Sequence, residues 1–249
     1  MFKFKTIAQM KFVSRIVMGF SAFALSTLFL LSYYGQQVGN FTIDVSQDMY
    51  LNKEVVLSEA VDFKNERSRL EAVPIGSVRP IGYIDEPEKL PLEIENAILT
   101  LEGGSNNGLN YFAYTFYIKN TGEEDLSYNF SLFLEDSTNN IDEAIRVMVV
   151  KETDIRVNNT NPNITERVYA KVQSKFGQRP GSPEPGTTPF ETNRKIVGDN
   201  RYDFKSGDID KYSILMWLHG EDPDTVDIPE RSIRDGALKL SIKFNVITI

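Results

Sequence analysis

The chain of 249 residues contains no cysteine. Disulfide staples are therefore excluded, as are thiol redox chemistry and thiolate metal sites, and stability has to come from a packed core. Histidine is nearly absent too, with His219 alone. The usual zinc sites draw on several histidines, and the His-Glu-x-x-His pair is missing. A serine nucleophile would have one candidate base, and no Gly-x-Ser-x-Gly elbow is present to carry it. There is no Gly-rich phosphate cradle, since Gly103-Gly104-Ser105-Asn106-Asn107-Gly108 reads as a hairpin tip. Helical periodicity is scarce beyond Gly39, and no repeat of solenoid or propeller length occurs.

Acids are missing from the N-terminal stretch, where the first is Asp44. What stands there instead is an uncharged run of 20 residues from Ile16 to Gly35, preceded by Lys3, Lys5, Lys11 and Arg15. As a helix rising ~1.5 Å per residue it spans ~30 Å, the thickness of a bilayer's hydrocarbon. Cations before the run keep residues 1–15 cytoplasmic and place residues 36–249 outside. A cleavable signal would need a shorter apolar core and small residues at its end; here Tyr33 and Tyr34 occupy that place and suit a membrane interface. The run reads as a retained single-pass anchor, the alternative being a domain secreted after cleavage.

Without the four N-terminal cations, 23 basic residues face 35 acidic ones, a formal charge of −12 for the exported part. Such a surface repels phosphate backbones, so nucleic acid is not expected as a partner. An exported, cysteine-free domain suits a Gram-positive surface better than an animal secretory pathway. Sequons begin at Asn40, Asn129, Asn158 and Asn163, glycan sites in a eukaryote and chance matches in an Asn/Ser/Thr-rich bacterial chain.

Past Gly39 apolar and polar residues alternate with period two, as in strands with one buried face. Asn110–Lys119 places Phe112, Tyr114, Phe116 and Ile118 on one side, and Leu126–Leu134 does so with Leu126, Tyr128, Phe130, Leu132 and Leu134. The two read as a hairpin around Asn120-Thr121-Gly122. One helical turn is expected over Asn139–Ala144, then strands over Ile145–Val150 and Arg167–Gln173. Tyr212–Leu218 is apolar on both faces and should lie centrally, whereas Ala237–Val246 buries Leu238, Leu240, Ile242, Phe244 and Val246 beneath Lys239 and Lys243. Weaker strands are expected at Phe41–Val45, Val55–Val61, Asn96–Glu102 and Lys195–Val197. Residues 177–192 carry Pro180, Pro183, Pro185 and Pro189, a density no ladder strand tolerates, and form a surface excursion or flexible loop. The expected fold is all-β, an antiparallel two-sheet sandwich of jelly-roll or immunoglobulin-like topology.

Three groups invite chemistry. Glu221, Asp222, Asp224 and Asp227 offer closely spaced oxygens of the kind calcium prefers, although Gly220 precedes the acids instead of interrupting them, and an acidic turn closed by Pro223 accounts for the same residues. Tyr111 and Tyr117 alternate away from the core side of their strand and form a candidate aromatic face for a glycan or a protein. His219 is the residue on which any hydrolase reading would rest. No cofactor is expected.

Several stretches together resemble exported TasA/camelysin-type proteins of Gram-positive bacteria: the N-terminal apolar run, Tyr117-Ile118-Lys119-Asn120-Thr121-Gly122 before a strand, Lys205-Ser206-Gly207-Asp208-Ile209-Asp210-Lys211-Tyr212, and Trp217-Leu218-His219-Gly220-Glu221-Asp222-Pro223. The resemblance implies a jelly-roll sandwich at a cell surface or in a biofilm matrix. The small residues of the family's processing site are missing here, and no catalytic residue carries over. The expectation is a non-catalytic surface module that meets itself or another protein by strand addition; the alternative is a glycan- or calcium-binding domain.

Overall fold

The computed structural model describes residues 18, 41–47, 54–76, 78–81, 89–155, 162–225 and 232–247. The apolar run 16–35 apart from Met18, the sequons at Asn40 and Asn158, and Asp227 lie outside the described residues. Among the described residues no helix is long and apolar enough to cross a membrane.

The described chain is mostly strand: β1 (Phe41–Val45), β2 (Val55–Ser58), β3 (Arg69–Ala72), β4 (Gly104–Ser105), β5 (Tyr111–Asn120), β6 (Leu126–Ser137), β7 (Ile145–Thr153), β8 (Asn163–Ala170), β9 (Thr188–Pro189), β10 (Lys195–Phe204), β11 (Ile209–Leu218) and β12 (Leu238–Val246), with a short helix α1 (Leu92–Ile98). One five-stranded sheet runs β10-β6-β12-β1-β3; a seven-stranded sheet runs β2-β5-β11-β7-β8-β9, with β4 added beside β5. Alternation turns Phe41, Ile43, Phe130, Leu132, Ile242 and Phe244 of the first sheet toward Phe112, Phe116, Val147, Tyr212 and Ile214 of the second, and these form one buried cluster. Ring contacts tie the layers: Phe130 stacks on Tyr212 at 4.7 Å, and Phe244 meets Phe116 edge-on at 6.0 Å.

The sheets are mixed, which corrects the antiparallel expectation. β1 runs parallel to β12, Phe41 opposite Leu240, and β9 runs parallel to β8. Both depend on chain returns too long for local sequence to announce. β11 lies between β5 and β7, as its two apolar faces require. Its outer side chains Leu215 and Trp217 join Ala113 and Met148 in a second cluster, covered by Ile94 and Ala97 of α1 and by Ile81. The strand expected over Asn96–Glu102 is therefore absent: the region holds α1, whose buried Ile94 and Ala97 are spaced i, i+3 behind Pro91, with Glu93 and Glu95 in the first turn. The proline-rich stretch does hold one short ladder. Thr188–Pro189 pairs at the sheet's rim, where a missing amide costs nothing.

Candidate functional site

The second sheet leaves a long backbone edge. β8 is paired to β7 from Asn163 to Tyr169, but on its other side only Tyr169 and Ala170 meet β9. Residues Asn163–Val168 therefore have no strand beside them among the described residues. Phe190 N–H donates to the Ala170 carbonyl at 3.0 Å from that outer side. Backbone groups of successive residues alternate in direction, so Ile164, Glu166 and Val168 also aim their N–H and C=O groups outward. Asn163–Arg167 are exposed, and Ile164 presents an apolar side chain at 53 % exposure. β10, the long rim strand of the other sheet, is guarded. Its Gly198 N–H is taken by Glu191 Oε1 at 2.6 Å, its register breaks between Arg201 and Phe204, and Asp203 there adopts φ 54°. Bulges and charges of this kind keep an edge from pairing.

The acidic turn after β11 packs against β7 and the proline-rich stretch. Arg146 of β7 is 1 % exposed and is gripped by Asp222 (Nη1–Oδ2 2.8 Å) and by Glu184 of the proline-rich stretch (Nη2–Oε2 3.3 Å). Asp224 accepts from Ser174 Oγ at 2.8 Å, and the Asp224 N–H donates to Asp222 Oδ1 at 2.8 Å. Glu221 is exposed. The carboxylates of Asp222 and Asp224 are thus engaged by protein donors, and among the described residues no three His, Asp or Glu side chains gather as a metal site. Burial, together with the charge of Asp222 and against the pull of Arg146, pushes the Glu184 carboxyl up to about 7. Burial and the Arg146 cation hold His219 down at about 4, a neutral imidazole. Among the described residues Arg146 Nε and Trp217 Nε1 are buried without a hydrogen-bond partner.

A second buried polar group lies between the sheets. Asp210 accepts from Tyr128 Oη at 2.7 Å, from Arg201 Nε at 3.2 Å and from the Asp154 N–H at 3.0 Å, and the Tyr128 and Tyr212 hydroxyls meet at 2.9 Å. Arg201 also reaches Asp154 at 2.6 Å. Burial raises both phenols well above the ordinary tyrosine value, so they act as neutral donors.

Tyr111 and Tyr117 do not share a platform. Both are half-buried, six residues apart on β5 and so about 20 Å from each other. Tyr111 leans on the second cluster with its ring against Gly108, where a Cβ would come within 2.1 Å of it. Tyr117 lies over Gly103. Sequence reading singled out neither Arg146 nor Glu184. Arg146 had a signal: an arginine inside Ile145–Val150, apolar on both faces, must find buried partners. Glu184 had none, because the partner that buries it is distant in sequence. No protein-family model matches the chain, and no curated protein matches it.

Proposed function

We infer that this protein is a membrane-anchored, outward-facing β-sandwich of a bacterial cell surface or matrix, non-catalytic, which joins a second copy or another surface protein by strand addition. The observation that carries the reading is the outer backbone edge of Asn163–Val168, with three outward amides and an exposed Ile164 between polar neighbours. The apolar run 16–35 and the TasA/camelysin resemblance supply the setting, and a jelly-roll topology goes with that resemblance. A strand laid along β8 gains main-chain hydrogen bonds on one side and keeps the β7 ladder on the other.

Glu166→Pro tests it directly. Proline deletes one outward amide and leaves the inward ladder intact. Self-association measured by sedimentation, and pull-down of surface and matrix proteins, are expected to weaken about tenfold, the worth of one hydrogen bond, at unchanged melting temperature. A wild-type ectodomain that stays monomeric at high concentration and retains no partner overturns the reading, as does a Glu166→Pro variant that associates as well as wild type.

A further inference from the structure

The free edge of β8 reads Asn163-Ile164-Thr165-Glu166-Arg167-Val168. Its residues divide by face and by backbone direction together. Tyr169 packs in the main core and Val168 against the second cluster, so Asn163, Thr165 and Arg167 turn their side chains toward the first sheet, and Ile164 and Glu166 turn theirs away from it. Lys151 of β7, opposite Thr165, crosses on that inner side to Asp199 of β10 at 2.8 Å. The backbone splits the same way: Asn163, Thr165 and Arg167 spend their N–H and C=O groups on β7, whereas Ile164, Glu166 and Val168 aim theirs outward.

A second copy of the chain brings the same edge. Two identical strands related by a two-fold axis run antiparallel, and outward residues must oppose outward residues if their hydrogen bonds are to close. Each such register is centred on one residue. Centred on Glu166 it sets carboxylate against carboxylate, and centred on Arg167 it sets guanidinium against guanidinium. Both also run the incoming strand into β9, which already occupies Tyr169 and Ala170. Centred on Ile164, only Asn163–Thr165 of β8 is paired, because the strand begins at Asn163. Centred on Thr165, that residue faces its own copy, Asn163 faces Arg167 and Ile164 faces Glu166, with no like charges directly opposed. The incoming strand then ends opposite Arg167, short of β9. The two Glu166 carboxylates lie on a diagonal of the exposed outer face, where water screens them.

We propose that the partner of this edge is a second copy of the chain, its β8 laid antiparallel along the first with Thr165 on the two-fold axis. The pairing rests on the strand-addition reading of the edge and gives it a partner. Ile164 and Glu166 of one copy exchange main-chain bonds with Glu166 and Ile164 of the other, about four hydrogen bonds in all. The exposed Ile164 side chain is covered by the opposing Glu166 stem, and the two Thr165 hydroxyls meet across the axis. An isologous contact uses both edges at once and closes. β8 therefore makes a dimer with one sheet continuous through both copies, and does not by itself propagate a fibre.

The chain holds no cysteine, so each introduced thiol reports alone. Full-length Ile164→Cys, Thr165→Cys, Glu166→Cys and Arg167→Cys proteins in detergent micelles are oxidised with copper phenanthroline at equal concentration. All four positions are exposed, so the core is left intact. A directly opposed pair without mutual hydrogen bonds holds its Cβ atoms ~4.5–5.5 Å apart, close to disulfide reach. Thr165→Cys is therefore expected to form the covalent dimer about tenfold faster than the other three, whose thiols are set apart by the register. Asn163→Cys mixed with Arg167→Cys is expected to give the mixed dimer in preference to either homodimer. Equal rates at all four positions, or a maximum at any position but 165, overturns the self-pairing. If pull-down then still retains another surface protein through a contact that Glu166→Pro weakens, strand addition stands with a different partner; if nothing is retained, both readings fall.

Discussion

Two buried polar groups in this domain solve one problem differently. Around Asp210, the carboxylate, two phenols, a guanidinium and a backbone amide meet with every distance between 2.7 and 3.2 Å. Around Arg146, one cation faces two carboxylates, and Nε and the neighbouring Trp217 Nε1 are left without partners among the described residues. A satisfied network in a low-dielectric interior fixes its members in one arrangement; an under-satisfied one leaves a group such as Glu184 poised near neutrality. The first group therefore locks the sheets together, and the second responds to pH where the proline-rich stretch meets β7.

Substitutions can break this contrast. Asp210→Ala removes the acceptor shared by the Arg201 guanidinium, the Tyr128 hydroxyl and the Asp154 amide, leaving Arg201 on Asp154 and Tyr128 on Tyr212, and is expected to cost about 2–3 kcal/mol in urea denaturation. A loss as small as that of a surface charge would show that the network does not lock the fold.

The Arg146 group is read through pH. Glu184 has a folded value of about 7 against an ordinary 4.5, so the folded state holds the proton more tightly and this residue's contribution to stability falls as pH rises from about 4.5 to 7. His219, at about 4 against 6.5, works oppositely: the unfolded state holds its proton more tightly, and stability rises from about pH 4 to 6.5. The two slopes cancel across most of their shared window. Glu184→Gln should unmask the rising slope and His219→Gln the falling one, each up to about 1.4 kcal/mol per pH unit in the difference from wild type. Difference profiles of equal sign would end the account. The smallest effect is expected at Tyr212→Phe, about 1 kcal/mol, because Tyr128 keeps Asp210 when its second hydroxyl neighbour is removed.

Sequence and structure agree where periodicity is strong and local. Phe112 to Ile118 and Leu126 to Leu134 announce β5 and β6 because each strand writes one face in apolar residues. The hairpin expected between them does not form: the chain crosses at Asn120-Thr121-Gly122 from one sheet to the other, and β5 and β6 face each other across the core. Tyr212–Leu218 announces a central strand because both faces are covered. The sequence reads Asn96–Glu102 as a strand because Ala97, Leu99 and Leu101 alternate there, and the sheet surface that buries Ile94 and Ala97 of α1 is supplied by distant residues. The exposed outer half of β8 carries no apolar pattern and is a strand only because β7 pairs with it. The candidate edge was thus hidden for the reason that makes it a candidate: it is polar and unpartnered. Arg146 and Glu184 meet through long-range folding alone.

The parallel seam between β1 and β12 also has a consequence in time. Phe41 lies opposite Leu240, so the first described strand cannot take its place until almost two hundred residues later have arrived. Such distant closure folds slowly, because loop entropy must be overcome before the pairing repays it. The first sheet therefore stays open while the chain between the two strands folds, and it closes only when β12 clasps β1 against it.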